Sequence, residues 1–134
     1  ADALQLDEMW YSASTGDEVF LQFVTEQRKI AGFLRLALPD PAQEPLHPEL
    51  ADAAIIREIH VYGQAVGIGH DKRGAAQHRG LGKALIKRAV ELATERGYHN
   101  LAVISAIGTR EYYRKRGFAD RVLYQVRDLT RGDE

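Results

Sequence analysis

Gln77-His78-Arg79-Gly80-Leu81-Gly82-Lys83 is the stretch on which the fold turns. A strand-like run precedes it and a helix-like run follows it. Gly80 and Gly82 have no Cβ, so a ligand can approach their backbone closely. A helix opening at this point aims its unpaired N–H groups outward, and the two features together suit a pyrophosphate. The pattern lacks the third glycine of a dinucleotide fingerprint and the Gly-Lys-Ser/Thr of a P-loop, which sets both of those readings aside. Alone, a Gly-x-Gly before a helix also fits an ordinary strand–turn–helix, so the flanking sequence has to decide.

On the C-terminal side the apolar period is helical from Gly80 to Arg96, with Leu81, Ala84, Leu85 and Leu92 on one stripe and Gly97 as the stop. Asn100 to Ser105 reads as a short buried strand, Thr109 to Arg116 as a short helix ended by Gly117, and Phe118 to Arg127 as a closing strand. On the N-terminal side, Ala54 to about Val66 reads as a long strand. Its alternation puts Ile55, Ile59 and Val61 on one face and Glu58, His60 and Tyr62 on the other. Gly67 to Arg79 is a long loop. Leu6–Ser14 and Val19–Thr25 are joined by a turn at Thr15-Gly16-Asp17, Ile30–Leu38 follows, and prolines mark an irregular acidic loop to about Asp52. The order β-β-β-β-α-β-α-β predicts an α/β domain with a mixed central sheet flanked by helices.

A chain of 134 residues with 45% hydrophobic and 28% charged residues is expected to form one globular domain over 1–134. The longest stretch free of Asp, Glu, Lys and Arg, Gly97 to Thr109, is too short to span a bilayer, so no membrane partner is expected. With no cysteine, thiolate zinc sites, disulfides and iron–sulfur clusters are excluded within the chain, and a reducing, cytoplasmic setting fits. Apart from His60, the four histidines show no metal-ligand spacing, so no metal is expected. The net charge of -1 hides an asymmetry: residues 1–54 carry ten acids and three bases, residues 55–134 nine acids and fifteen bases. A basic second half suits a phosphate-rich ligand or nucleic acid.

Placed after a polar-faced strand and opening a helix, the spacing Gln-x-x-Gly-x-Gly resembles the acyl-coenzyme A loop of the GCN5-related N-acetyltransferases. Leu101-Ala102-Val103-Ile104-Ser105 resembles the strand that splays from its neighbour in that family. Tyr112-Tyr113-Arg114-Lys115-Arg116-Gly117-Phe118 resembles its Tyr-x-x-x-Gly-Phe helix end. Gly32-Phe33-Leu34-Arg35-Leu36, Arg57-Glu58-Ile59-His60-Val61-Tyr62-Gly63 and Gly108-Thr109-Arg110-Glu111-Tyr112-Tyr113-Arg114-Lys115 narrow the likeness to the acetyltransferase domain of Elongator catalytic subunits, the tRNA wobble-uridine enzymes.

The resemblance implies acetyl-CoA as the cofactor and tRNA as a partner. Glu58, Ile59, His60 and Val61 would lie along the pantetheine arm. Gln77, His78, Arg79, Gly80, Leu81, Gly82 and Lys83 would cradle the pyrophosphate, and Tyr113 would sit by the sulfur as the acid for the leaving thiolate. Glu58 and His60 are the base candidates, with Glu58 the catalytic choice. The resemblance further implies that the chain is the C-terminal part of a larger radical SAM enzyme, whose 4Fe-4S cluster and S-adenosylmethionine another domain would hold. The two helices that follow the first strand in free-standing relatives have no counterpart in residues 15–30, which leaves the acceptor side open to another domain or a large substrate. A free-standing N-acetyltransferase acting on a lysine or small amine is the alternative, and a binding module without turnover a third reading.

Overall fold

In the computed structural model, which describes residues 3–62, 80–104, 110–121 and 124–131, period-2 alternation builds an antiparallel meander. Strands β1 (Gln5–Ala13), β2 (Gly16–Val24) and β3 (Ile30–Pro39) pair in sequence, and β4 (Ala53–Val61) adds to β3. The first hairpin closes through Ser14-Thr15, with Ala13 opposite Gly16, earlier than the expected Thr15–Asp17 turn. Gly16 belongs to the strand at φ 146°, and a Cβ there would meet Asp40 N at 2.7 Å and Pro39 Cα at 2.8 Å. Only glycine fits that spot.

Helix α1 (Leu81–Glu95) carries the chain across to β5 (Asn100–Val103), which lies parallel to β4. A crossover of this kind needs a helix-length connection, which the run after Gly80 supplies. Gly97, at φ 88°, ends the helix as expected. Leu85, Ile86, Ala89, Leu92 and Ala93 pack on Leu21, Leu34, Leu36, Leu38, Ala54 and Ile56, all within 4% exposure, and this layer is the main core. Tyr113 and Phe118 belong to the same cluster. A smaller cluster joins Leu50, Ala53, Ala102 and Val126, with Ile55 and Tyr124 against it. Leu50 comes from a 3-10 turn at Pro48–Leu50 inside the acidic loop, which the sequence reading passed over.

The alternation of β4 breaks where it was read as continuous. Arg35 pairs with Glu58 but Leu36 with Ile56, so Arg57 is an extra residue on one strand. Such a bulge shifts the side-chain parity by one. Ile56 therefore shares the α1 face with Ile59, while Ile55 packs in the smaller cluster on the other side. The expectation that Ile55 and Ile59 share a face is corrected on this ground. Beyond Tyr62, the residues expected to continue the strand and form the loop through Arg79 lie outside the described residues.

The sheet order is β1-β2-β3-β4-β5-β7-β6. The single closing strand expected from Phe118 to Arg127 is instead a hairpin of β6 (Ala119–Asp120) and β7 (Gln125–Asp128), with β7 inserted beside β5. Arg121 N donates to Tyr124 O at 2.8 Å, and the fully buried Gln125 donates from Nε2 to Asp120 Oδ1 at 2.8 Å, which ties the hairpin shut. Helix α2 (Arg110–Arg114) precedes it and ends at Gly117, at φ 91°. No helix among the described residues is long and apolar enough to cross a membrane.

Candidate functional site

The parallel pairing of β4 with β5 stops at Ile56 and Val103, while β4 runs on to Val61 along β3. From the bulge at Arg57 onward, β4 has no paired neighbour on its β5 side among the described residues. A strand edge left open within a sheet presents N–H and C=O groups that seek a partner. Glu58, Ile59, His60 and Val61 lie along that opening, as the splay expected around Leu101–Ser105 requires. The strand predicted to reach Ser105 ends at Val103, and Ile104 is 65% exposed.

The start of α1 borders the same opening. Gly80 sits at the N-cap, has no side chain to cap the helix, and no acid occupies the first turn. The N–H groups of that turn, at Leu81, Gly82 and Lys83, face no competing side-chain cap. A Cβ built on Gly82 would run into the Tyr112 hydroxyl and come 3.7 Å from Val61 Cγ2. This glycine therefore brings the end of β4, the first turn of α1 and the tyrosine pair of α2 together. Gln77, His78 and Arg79, expected in the cradle, lie outside the described residues.

Tyr113 is 5% exposed and meets Tyr112 and Phe118 edge-on, with ring centroids 5.2 Å and 5.6 Å away. Burial pushes its phenol pKa above 10, and the neighbouring Tyr112 adds to the rise. Its hydroxyl makes no hydrogen bond among the described residues. Tyr112 is the residue that the sequence reading missed. Its ring carries the Arg116 guanidinium at 3.8 Å, and Arg116 Nη1 donates to Tyr112 O at 3.0 Å. The separation of four residues on a helical turn was the signal available in the sequence.

Glu58 and His60 share the opposite sheet face, as expected. Arg35 Nη1 donates to Glu58 Oε1 at 3.0 Å, and His60 Nε2 lies 3.5 Å from Glu58 Oε2. His60 stacks between Phe33 (5.2 Å) and Tyr62 (6.0 Å), and Phe20 continues the row beyond Phe33 at 5.2 Å. Because Glu58 pairs with Arg35, it faces away from the layer of Leu34, Leu36 and Tyr113. The two residues expected to act as base and acid thus stand on opposite sides of the sheet, with the opening between β4 and β5 beside both.

The chain matches the acetyltransferase (GNAT) family over residues 2–118. It belongs to that family. Among its relatives, the tRNA uridine(34) acetyltransferase of Dehalococcoides mccartyi is 40% identical over 110 residues, covering 81% of this chain and 24% of the relative. Elongator complex protein 3 of Danio rerio is 40% identical over 122 residues, covering 89% of this chain and 22% of the relative. The GNAT domain thus spans about a quarter or less of the length of these relatives. Among solved structures it is similar to archaeal Elp3 of Methanocaldococcus infernus, at TM-score 0.77 and 32% identity over 93% of this chain and 30% of the other. The mixed-sheet GNAT fold expected from the sequence is the one observed, with seven strands where six were expected because the closing strand is a hairpin.

Proposed function

We propose that this GNAT domain binds and cleaves acetyl-CoA as part of an Elongator-type enzyme that modifies the wobble uridine of tRNA, in the reaction that forms 5-carboxymethyluridine. The observation that carries this reading is the 40% identity, over most of the chain, to a protein named tRNA uridine(34) acetyltransferase. That this match takes up only 24% of the relative supports the reading of residues 1–134 as one domain of a longer polypeptide; its place as the C-terminal part of a radical SAM enzyme rests on the family resemblance alone. The setting would be cytoplasmic.

The residues present fit the coenzyme. A Cβ at Gly82 would collide with the Tyr112 hydroxyl, so the glycine lets α2 close against the first turn of α1, and that uncapped turn suits a pyrophosphate. The open edge from Glu58 to Val61 would pair with the pantetheine amides and hold the thioester in one orientation, which converts binding into positioning. Attack of water on the thioester carbonyl would form the carboxylate that a carboxymethyl product carries as the C–S bond breaks, and Tyr113 would give its proton to the departing thiolate. A phenol with a raised pKa stays protonated through neutral pH and keeps that proton until negative charge develops on sulfur. In this reading Glu58, which accepts a hydrogen bond from Arg35, would take the proton released on the acceptor side. The 4Fe-4S cluster and S-adenosylmethionine would supply radical chemistry from the other domain, since this chain has no cysteine to hold a cluster.

The test is thiol release from acetyl-CoA with and without tRNA carrying an unmodified wobble uridine. This reading expects release that tRNA stimulates, with no comparable transfer to a lysine peptide. Transfer to lysine that ignores tRNA would instead make the chain an amine acetyltransferase.

A further inference from the structure

An open cleft of about 1070 Å³ runs along α1 on the side facing β6, β7 and the end of α2. Lys83 and Lys87 line it from the helix, and Lys115, Arg116 and Arg121 line it from across. Lys83 and Lys87 stand one helical turn apart, so their ammonium groups follow one another along the groove. Two acids border it, and one of them, Glu91, already accepts from Arg88 at 3.0 Å.

The distribution of ion pairs separates this cleft from the rest of the surface. Arg28, Arg35, Arg88 and Arg96 are each bonded to acids of the acidic half or its border, at Asp7, Glu58, Glu8 and Asp17. Lys83, Lys87, Lys115, Arg116 and Arg121 make no ion pair among the described residues. Outside the cleft, only Lys29 and Arg57 share that condition among the described lysine and arginine side chains. Among the described residues, five of the six second-half cations that make no ion pair therefore lie along this one open channel. Cations in a row without acidic partners, with Arg116 held against the Tyr112 ring, suit a polyanion whose charges repeat along its length, and binding them releases that polyanion's counterions.

We propose that this cleft is a track for the phosphodiester backbone of the RNA substrate, beginning beside the coenzyme cradle at Lys83 and running away from it. The proposal rests on the tRNA-modifying reading above for its choice of polyanion. Its contacts are to phosphates, so the cleft would position the RNA without reading its sequence.

The test uses a fluorescently labelled anticodon stem–loop RNA and the whole chain, with anisotropy measured across a salt series. Lys87→Glu with Arg121→Glu should lower RNA affinity at least tenfold and flatten the log affinity–log salt slope by about two. The neutral pair Lys87→Gln with Arg121→Gln should give a smaller loss in the same direction. Arg28→Glu with Lys29→Glu makes the same change of net charge at a distant hairpin turn and should leave RNA affinity within about threefold. Acetyl-CoA affinity, read by calorimetry, should stay within about twofold in every variant. An equal loss in the distant control, unchanged binding in the cleft variants, or a parallel loss of acetyl-CoA affinity would each overturn the proposal. So would displacement of RNA by polyglutamate at the same charge concentration, which would assign the cleft to an acidic protein. A wild-type chain that binds acetyl-CoA but not RNA overturns the track and leaves the coenzyme reading standing; one that binds neither overturns both.

Discussion

Tyr113→Phe lowers the rate of acetyl-CoA cleavage by about 10²-fold, the lower end of what one positioned proton donor contributes, while the coenzyme dissociation constant changes by less than about twofold. The asymmetry follows from geometry. The ring of Tyr113 is buried against Tyr112 and Phe118, and Phe keeps both edge contacts. Only the hydroxyl disappears, and it makes no hydrogen bond among the described residues, so little stability or binding is lost with it. A pH–rate profile separates this role from packing. Burial raises the phenol pKa above 10, so the proton is present at every lower pH and leaves as pH rises through the raised value. Any stability tied to the neutral buried ring follows the same sign, constant below pH 10 and lost above it. Wild-type cleavage should therefore show an alkaline decline in that range, and the Phe variant should lack it. A variant with full activity, or with the same decline, would remove Tyr113 from the chemistry.

Leu85→Ala lowers stability by about 2–5 kcal/mol, which for a domain of this size lowers Tm by about 10 °C. Leu85 is fully buried, and its Cδ1 lies 3.6 Å from where a Cβ on Gly32 would stand. That approach closes α1 onto the first part of β3, where neighbouring Leu34 and Leu36 leave little room for collapse. The loss should fall on the scaffold and not on the cradle, because the first turn of α1 is set by Gly82 against Tyr112 and Val61. Saturating acetyl-CoA should then raise the Tm of the variant and of the wild type by similar amounts. A fall of only a degree or two would mean that α1 is held elsewhere.

How much of this was legible before the structure depends on how local each feature is. The helix after Gly80 and its stop at Gly97 follow from a 3.6-residue period and one left-handed residue, both written in consecutive positions. The first three strands follow from alternation. The bulge at Arg57 was missed although it leaves a trace: Ile55-Ile56 and Arg57-Glu58 are adjacent like residues, and a strict alternation has no place for two such pairs in a row. The division of the closing strand into β6 and β7 is a different matter. Its pairing is decided by β5, some twenty residues away, and by the fit of Gln125 against Asp120. Tyr113 was found through its distance from Gly117. Tyr112 was passed over because its role depends on Gly82, thirty positions earlier, and only folding brings the two together. The cleft was visible only as an excess of positive charge, since sequence counts charges without showing which are paired.

If the open edge of β4 and the first turn of α1 form one acetyl-CoA site, amide hydrogen exchange on the whole chain will register the coenzyme at both segments together. Saturating acetyl-CoA should slow exchange at two segments only, residues 57–61 and 81–84, and leave the β1–β2 hairpin unchanged. No protection at either segment, under conditions where calorimetry shows the coenzyme bound, would contradict it and move the site elsewhere on the domain.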